Sequence, residues 1–190
     1  MINPISDIDH VLISAQQLDE ITTRLAKKIS EDYAHVAAGE TPRKLIVVAV
    51  MKGSVFFYVD LVKKITVPVE LDFVKVSSYG AATVSSGQIK IHLDLKRDDY
   101  DKIDILLVED IVDSGRTLCS LTENLRGRGA HSVRTVTMLD KPSRREVDFR
   151  ADYVGAEIPD EFVVGYGLDF DEKYRDLPYV GVLKPEVYSK

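Results

Sequence analysis

The sequence predicts an α/β fold, a mainly parallel twisted sheet flanked by helices, and three observations carry that prediction. Residues 45–50 (Leu-Ile-Val-Val-Ala-Val) and 105–108 (Ile-Leu-Leu-Val) form continuous apolar runs rather than alternating ones, the pattern of strands buried on both faces. Segments of helical period alternate with such runs, as the crossovers of a parallel sheet require. The 190 residues contain no repeat, low-complexity tract or linker, so one domain over residues 1–190 is expected.

In chain order, Val11-Leu12-Ile13 reads as a short first strand. Ser14 and Gln17 stand at capping-box spacing, so a helix begins there. Leu18, Ile21, Leu25 and Ile29 keep to one helical face, and Gly39 with Pro42 ends the pattern. After the strand at 45–50 comes Met51-Lys52-Gly53-Ser54, then a helix over 55–64 and a strand over 69–76. Residues 77–88 are small and polar with two glycines, a long loop of the kind that forms lids. Arg97 to Asp101 reads as a solvated turn. Residues 103–108 form a strand, 117–126 a helix with Leu118, Leu121 and Leu125 inward, and 133–139 a strand. Short apolar segments at 153–155, 162–164 and 179–183 complete the set.

Lys+Arg total 25 and Asp+Glu 31, a net charge of −6, which argues against a protein that coats nucleic acid. The longest apolar run, 45–51, is far too short to span a bilayer, so no membrane partner is expected. The N-terminus carries neither a basic n-region nor an apolar h-region. The single cysteine, Cys119, excludes an internal disulfide framework and suits a reducing compartment. A cytoplasmic globular protein is expected. His10, His35, His92 and His131 lack zinc-site spacing, and Cys119, with no motif partner, reads as a small core or helix residue.

Ligands of such sheets bind beyond the carboxyl ends of the strands, so the residues following Val50, Val76, Val108 and Leu139 matter most. After Val108 the chain reads Glu109-Asp110-Ile111-Val112-Asp113-Ser114-Gly115-Arg116-Thr117-Leu118. The small turn aims successive backbone N–H groups, the Ser114 and Thr117 hydroxyls and a helix N-terminus at one anion. A phosphate monoester suits that cradle. The carboxylates would repel phosphate, so Glu109 and Asp110 address something else: vicinal hydroxyls, as on a ribose, or Mg²⁺. The string is neither a Walker A loop nor a dinucleotide G-x-G-x-x-G pattern.

Residues 108–118 resemble the phosphoribosyl-diphosphate (PRPP) signature of type I phosphoribosyltransferases. Other motifs narrow the resemblance to the hypoxanthine-guanine phosphoribosyltransferase family. Met51-Lys52-Gly53-Ser54 is similar to its first pyrophosphate-binding loop, and Ser77-Ser78-Tyr79-Gly80 to the start of its flexible catalytic loop. Lys141 stands at the family's purine-binding lysine. Pro159 to Asp169 and Tyr174 to Tyr179 resemble the 6-oxopurine enzymes in particular. The resemblance runs from about residue 10 to 184, and Arg116 stands where some members carry lysine.

The resemblance implies a type I phosphoribosyltransferase fold, with a core over about 40–150. A small hood from the N-terminal strand and about 151–190 covers the purine. It implies Mg²⁺-dependent transfer of 5-phosphoribosyl from PRPP to N9 of hypoxanthine or guanine, with a homodimer or homotetramer as the assembly. On this reading Asp113, Ser114, Gly115, Arg116 and Thr117 hold the 5′-phosphate, and Asp113 also takes the purine N7 proton. Glu109 and Asp110 hold the ribose hydroxyls, directly or through the metal. Lys52, Gly53, Arg175, Ser78 and Tyr79 face the pyrophosphate. Lys141, Phe162, Val163 and Asp169 face the purine; Glu109 and Asp110 are metal ligands, and Asp169 ligates a second Mg²⁺. Met51–Lys52 is a candidate cis peptide. Arg144 and Arg145 are surface charges or supports of the Lys141 loop. Two rivals share the PRPP site: a xanthine-preferring enzyme, and a PRPP-sensing regulator that binds nucleic acid and would need a basic face.

Overall fold

The computed structural model describes residues 4–38, 43–78 and 89–189. The N-terminal part runs α1 (Pro4–Asp7), β1 (Ile8–Ile13), α2 (Ala15–Asp32), α3 (Ala34–Ala37), β2 (Lys44–Met51) and α4 (Val55–Val62). It continues with β3 (Val69–Ser78), β4 (Ile89–Leu93), β5 (Ile103–Val112), α5 (Arg116–Gly127) and β6 (Ser132–Asp140). The C-terminal part adds β7 (Tyr153–Glu157), β8 (Val163–Val164), β9 (Val180–Leu183) and α6 (Pro185–Tyr188).

Six strands form the main sheet in the order β4-β3-β2-β5-β6-β7. Every pairing is parallel except that of β3 with β4. Its core lies on both faces, as the continuous apolar runs require. Leu45, Val47 and Ala49 of β2 join the cluster under α2 and α4, whereas Ile46, Val48 and Val50 join the one under α5. Each fully buried side chain of this size contributes about 1.5–3 kcal/mol. The capping box forms as its spacing predicts: Ser14 N donates to Gln17 Oε1 at 2.9 Å, and Gln17 N to Ser14 Oγ at 3.3 Å. A second, antiparallel sheet of order β1-β9-β8 makes the hood.

Several boundaries differ from expectation. The first strand begins at Ile8, because its backbone pairs with β9 as far as Leu183. The first long helix stops at Asp32 and a single turn, α3, follows; Gly39 and Pro42 lie outside the described residues. The expected loop at 77–88 starts later, since Ser77 and Ser78 pair with Lys90 and Ile89 of β4; residues 79–88 lie outside the described residues. Strand β4 was readable in the alternation Ile-Lys-Ile-His-Leu. The Tyr153 segment, assigned to the hood, pairs with β6 in the main sheet, so the C-terminal part of the hood sheet begins at Val163. The Arg97–Asp101 stretch is no solvated turn. Tyr100 is buried there, and Arg97 spans Asp99 and Glu70.

At the start of β5, away from the ligand edge, the buried Asp104 carboxylate accepts hydrogen bonds from Ser132, from His131 Nδ1 at 3.0 Å and from Arg43 Nε at 3.3 Å. Burial pushes its pKa up, but these three donors outweigh burial and hold it below the usual carboxylate range. A depressed folded pKa stabilises above the unfolded value near 3.9 and stops doing so as pH falls through the folded one. Asp104→Ala is therefore expected to cost about 2 kcal/mol at neutral pH. Its deficit in urea melts should shrink toward zero below about pH 4.

Candidate active site

The carboxyl ends of β2, β5 and β6 meet beneath the hood, where a cavity of about 430 Å³ opens. Its walls include Asp113, Lys141, Phe162, Val163 and Asp169 from the sequence reading, together with Ile111, Arg144 and Tyr188, to which that reading gave no place in the pocket. Strand β5 runs four residues further than expected, so Glu109 and Asp110 belong to its last turn of pairing rather than to a loop.

The turn after β5 carries Gly115 at φ +82°, directly before the first turn of α5. A Cβ there would stand 2.9 Å from Arg145 Cδ, so both the conformation and the space require glycine. Segment 144–146 braces the turn from outside. Arg145 donates to the Asp113 carbonyl at 2.5 Å and pairs with the buried Asp140 carboxylate. Glu146 N donates to the Ser114 carbonyl at 3.0 Å, and its carboxylate pairs with Arg116 at 2.6 Å. Arg144 lies 3.2 Å from the half-exposed Asp113 carboxylate. The two arginines thus support the turn and Asp113 rather than standing as free surface charges. Arg116 N donates to Ser114 Oγ at 3.4 Å, a long bond that an anion at the helix start would displace.

Lys52 and Gly53 follow β2, and the Met51–Lys52 peptide is cis. Asp110 fills the space beside Gly53 so closely that a Cβ would fall 1.6 Å from its Oδ2. Lys52 Nζ reaches Glu172 at 2.9 Å, and Arg175 touches the same carboxylate at 3.3 Å and Asp169 at 2.9 Å. Glu172 therefore bridges the two cations assigned to the pyrophosphate, a residue hidden in what reads as a charged turn. Arg175 Nε is buried and has no partner, leaving a donor for an anion. Ser78 has its backbone in β3, and Tyr79 lies outside the described residues.

Burial, then the neighbouring Asp110 charge, pushes the Glu109 carboxyl well above its usual range. Burial likewise raises Asp110, to about 6, against the lowering effect of backbone N–H groups and Arg175. Glu109 Oε2 is buried without a hydrogen-bond partner, an acceptor that hydroxyl donors or a cation would satisfy. The resemblance implies Glu109 and Asp110 at one ion and Asp169 at a second, rather than one three-carboxylate centre. Among the described residues no three His, Cys, Asp or Glu side chains gather as one. Successive strand residues project to opposite faces, which separates Glu109 from Asp110, and Asp169 is held by Arg175. The hard oxygens still fit Mg²⁺ that arrives on a phosphorylated substrate.

On the purine side, Lys141 is buried rather than solvated, and its Nζ donates to the Glu161 carbonyl at 2.5 Å. Phe162 remains 38% exposed at the cavity, and Val163 is held in register by Val182. No helix among the described residues is long and apolar enough to cross a membrane.

A model of the phosphoribosyl transferase domain matches residues 13–171. The hypoxanthine-guanine phosphoribosyltransferase of Bacillus subtilis is 48% identical over 183 residues, which cover 96% of this chain and 97% of that protein. A bifunctional protein TilS/HprT of Listeria monocytogenes is 49% identical over 97% of this chain, which spans only 27% of that relative's length. The crystal structure of a hypoxanthine phosphoribosyltransferase from Staphylococcus aureus superposes with a TM-score of 0.89 at 44% identity, over 98% of this chain and 97% of that one.

Gly53→Ala tests the contact between the loop after β2 and Asp110 of β5. The added methyl has no room beside Asp110, so thermal unfolding should show a loss of about 1–3 kcal/mol. An unchanged melting temperature would mean that Asp110 moves aside freely.

Proposed function

The chain belongs to the phosphoribosyl transferase family, and from that premise we propose that it is a hypoxanthine-guanine phosphoribosyltransferase of purine salvage. It moves the 5-phosphoribosyl group of PRPP to N9 of hypoxanthine or guanine and releases pyrophosphate. The observation that carries this reading is the single cavity at the sheet edge. It is shared by the Asp113 turn, the Lys141–Phe162–Val163 wall and Asp169, with Lys52 and Arg175 linked alongside through Glu172.

The residues divide the work. The turn Asp113 to Thr117 receives the 5′-phosphate through backbone N–H groups and hydroxyls, held in shape by Arg145 and Glu146. Glu109 and Asp110 accept from the ribose hydroxyls. Lys52, Gly53 and Arg175 take up the pyrophosphate, with Ser78 and Tyr79 assigned to the same end, and Glu172 must yield its place to the incoming anion. Lys141 has two N–H donors beyond the one given to Glu161, and a donor here favours a 6-oxo over a 6-amino group. Phe162 stacks on the base and the Val163 backbone reads its edge. The bond from C1 to the pyrophosphate oxygen breaks with its electron pair as the bond from C1 to N9 forms, and Asp113 accepts the purine N7 proton. Bound Mg²⁺ would neutralise charge on the leaving group; Glu109 and Asp110 are the residues that would hold it, and Asp169 would ligate a second ion. A single domain, a homodimer or homotetramer and a cytoplasmic location complete the proposal.

The test is nucleotide and pyrophosphate formation from PRPP and Mg²⁺ with hypoxanthine, guanine, xanthine and adenine in parallel. Turnover of the 6-oxopurines without adenine, abolished by EDTA, is the expected result, with Asp113→Ala slower by about 10²–10⁴-fold. PRPP binding without turnover of any purine would instead favour the nucleic-acid-binding regulator, and a dominant xanthine rate the xanthine enzyme. In Glu172→Gln the bridge between the cations weakens. The exposed pairs are worth at most about 1 kcal/mol, so the affinity for inorganic pyrophosphate, read by calorimetry, should rise by no more than about fivefold.

A further inference from the structure

We propose that Tyr188, in the short C-terminal helix α6, is a positioning residue of the purine pocket whose ring fixes Phe162 as the stacking surface for the base. The inference rests on the reading of the cavity as a purine site. The ring centroids of Tyr188 and Phe162 are 4.8 Å apart with planes inclined by 19°, a stacked pair. Phe170 meets the same ring edge-on, at 5.6 Å and 88°. Phe162 is thereby packed against two aromatic rings, yet the residue is 38% exposed and lines the cavity. The exposed part of the ring is what a ligand can reach.

The chain holds Tyr188 in place through its own connections. Leu183 N donates to the Phe162 carbonyl at 2.8 Å, so the end of β9 is tied to the residue that α6 then covers. Lys184 N donates to the Asp7 carbonyl at 2.9 Å and Lys184 Nζ to the Ser6 carbonyl at 2.7 Å. Pro185 opens the turn, and Val187 and Tyr188 pack on the small cluster of Ile8, Val164, Tyr174 and Leu183. A phenylalanine free to rotate pays rotamer entropy each time it stacks on a base. A ring already packed against two others pays less, and the gain falls on base binding.

Steady-state kinetics of wild type, Tyr188→Ala and Tyr188→Phe with hypoxanthine and PRPP test this. Tyr188→Ala should raise KM for hypoxanthine about threefold to tenfold, the range of an aromatic pair. KM for PRPP and kcat should stay close to wild type, and Tyr188→Phe should restore the base KM. The chain contains no tryptophan, so Tyr188→Trp supplies a sole tryptophan, excited selectively over the tyrosines, whose fluorescence should change when GMP is titrated in. An active wild type whose Tyr188→Ala kinetics match its own, or a variant in which both KM values and the melting temperature move together, would overturn the proposal. A silent Tyr188→Trp emission would do the same. A wild type that turns over no purine would overturn the functional reading itself, and the role of Tyr188 with it.

Discussion

A loop that offers its backbone N–H groups to an anion cannot spend them on itself, so it must be held from behind. Here Arg145 does the holding. Its guanidinium joins the Asp140 carboxylate at the end of β6 to the Asp113 carbonyl in the turn after β5. Both partners of the ion pair are largely withdrawn from water, which is costly unless further hydrogen bonds satisfy them. The second bond, to the Asp113 carbonyl, supplies one. Glu146 adds a backbone bond to Ser114 and an ion pair to Arg116. The same short segment begins at Lys141, so the phosphate end and the purine end of the cavity share one rigid connection.

Charge at the site follows a similar logic of opposition. The chain carries a net −6, yet Lys52, Lys141, Arg144 and Arg175 converge on or beside one cavity. Each has a protein acceptor in this state: Glu172, the Glu161 carbonyl, Asp113 and Asp169 respectively. An entering polyanion competes with exposed carboxylates at modest cost. Glu109 and Asp110 are the reverse case, half-buried carboxylates whose pKa desolvation raises, and hydroxyl donors or a cation relieve that penalty.

Much of this architecture was legible in the residues. Continuous apolar runs gave the interior strands β2 and β5, since doubly covered strands need no alternation. Ser14 and Gln17 marked the start of α2 because a capping box is local. The string 109–118 announced an anion turn for the same reason. What depends on distant partners was not legible. Neither β7's place in the main sheet nor the extension of β5 to Val112 follows from local pattern, because both are set by pairing with β6. Glu172 and Tyr188 lie in segments of ordinary composition, and their importance comes from contacts across the fold. Lys141, by default a solvated charge, is buried because Glu161, twenty residues on, offers its carbonyl.

The most direct test of the braced turn is calorimetric binding of ribose 5-phosphate to wild type and to Arg145→Ala, with far-UV circular dichroism confirming that both are folded. The account predicts that removing the guanidinium loosens the Asp113–Thr117 turn and weakens phosphate binding by at least about tenfold, the worth of one charge-assisted hydrogen bond. Equal affinities in two folded proteins would contradict it, and would mean that the turn keeps its shape without the tie to Asp140.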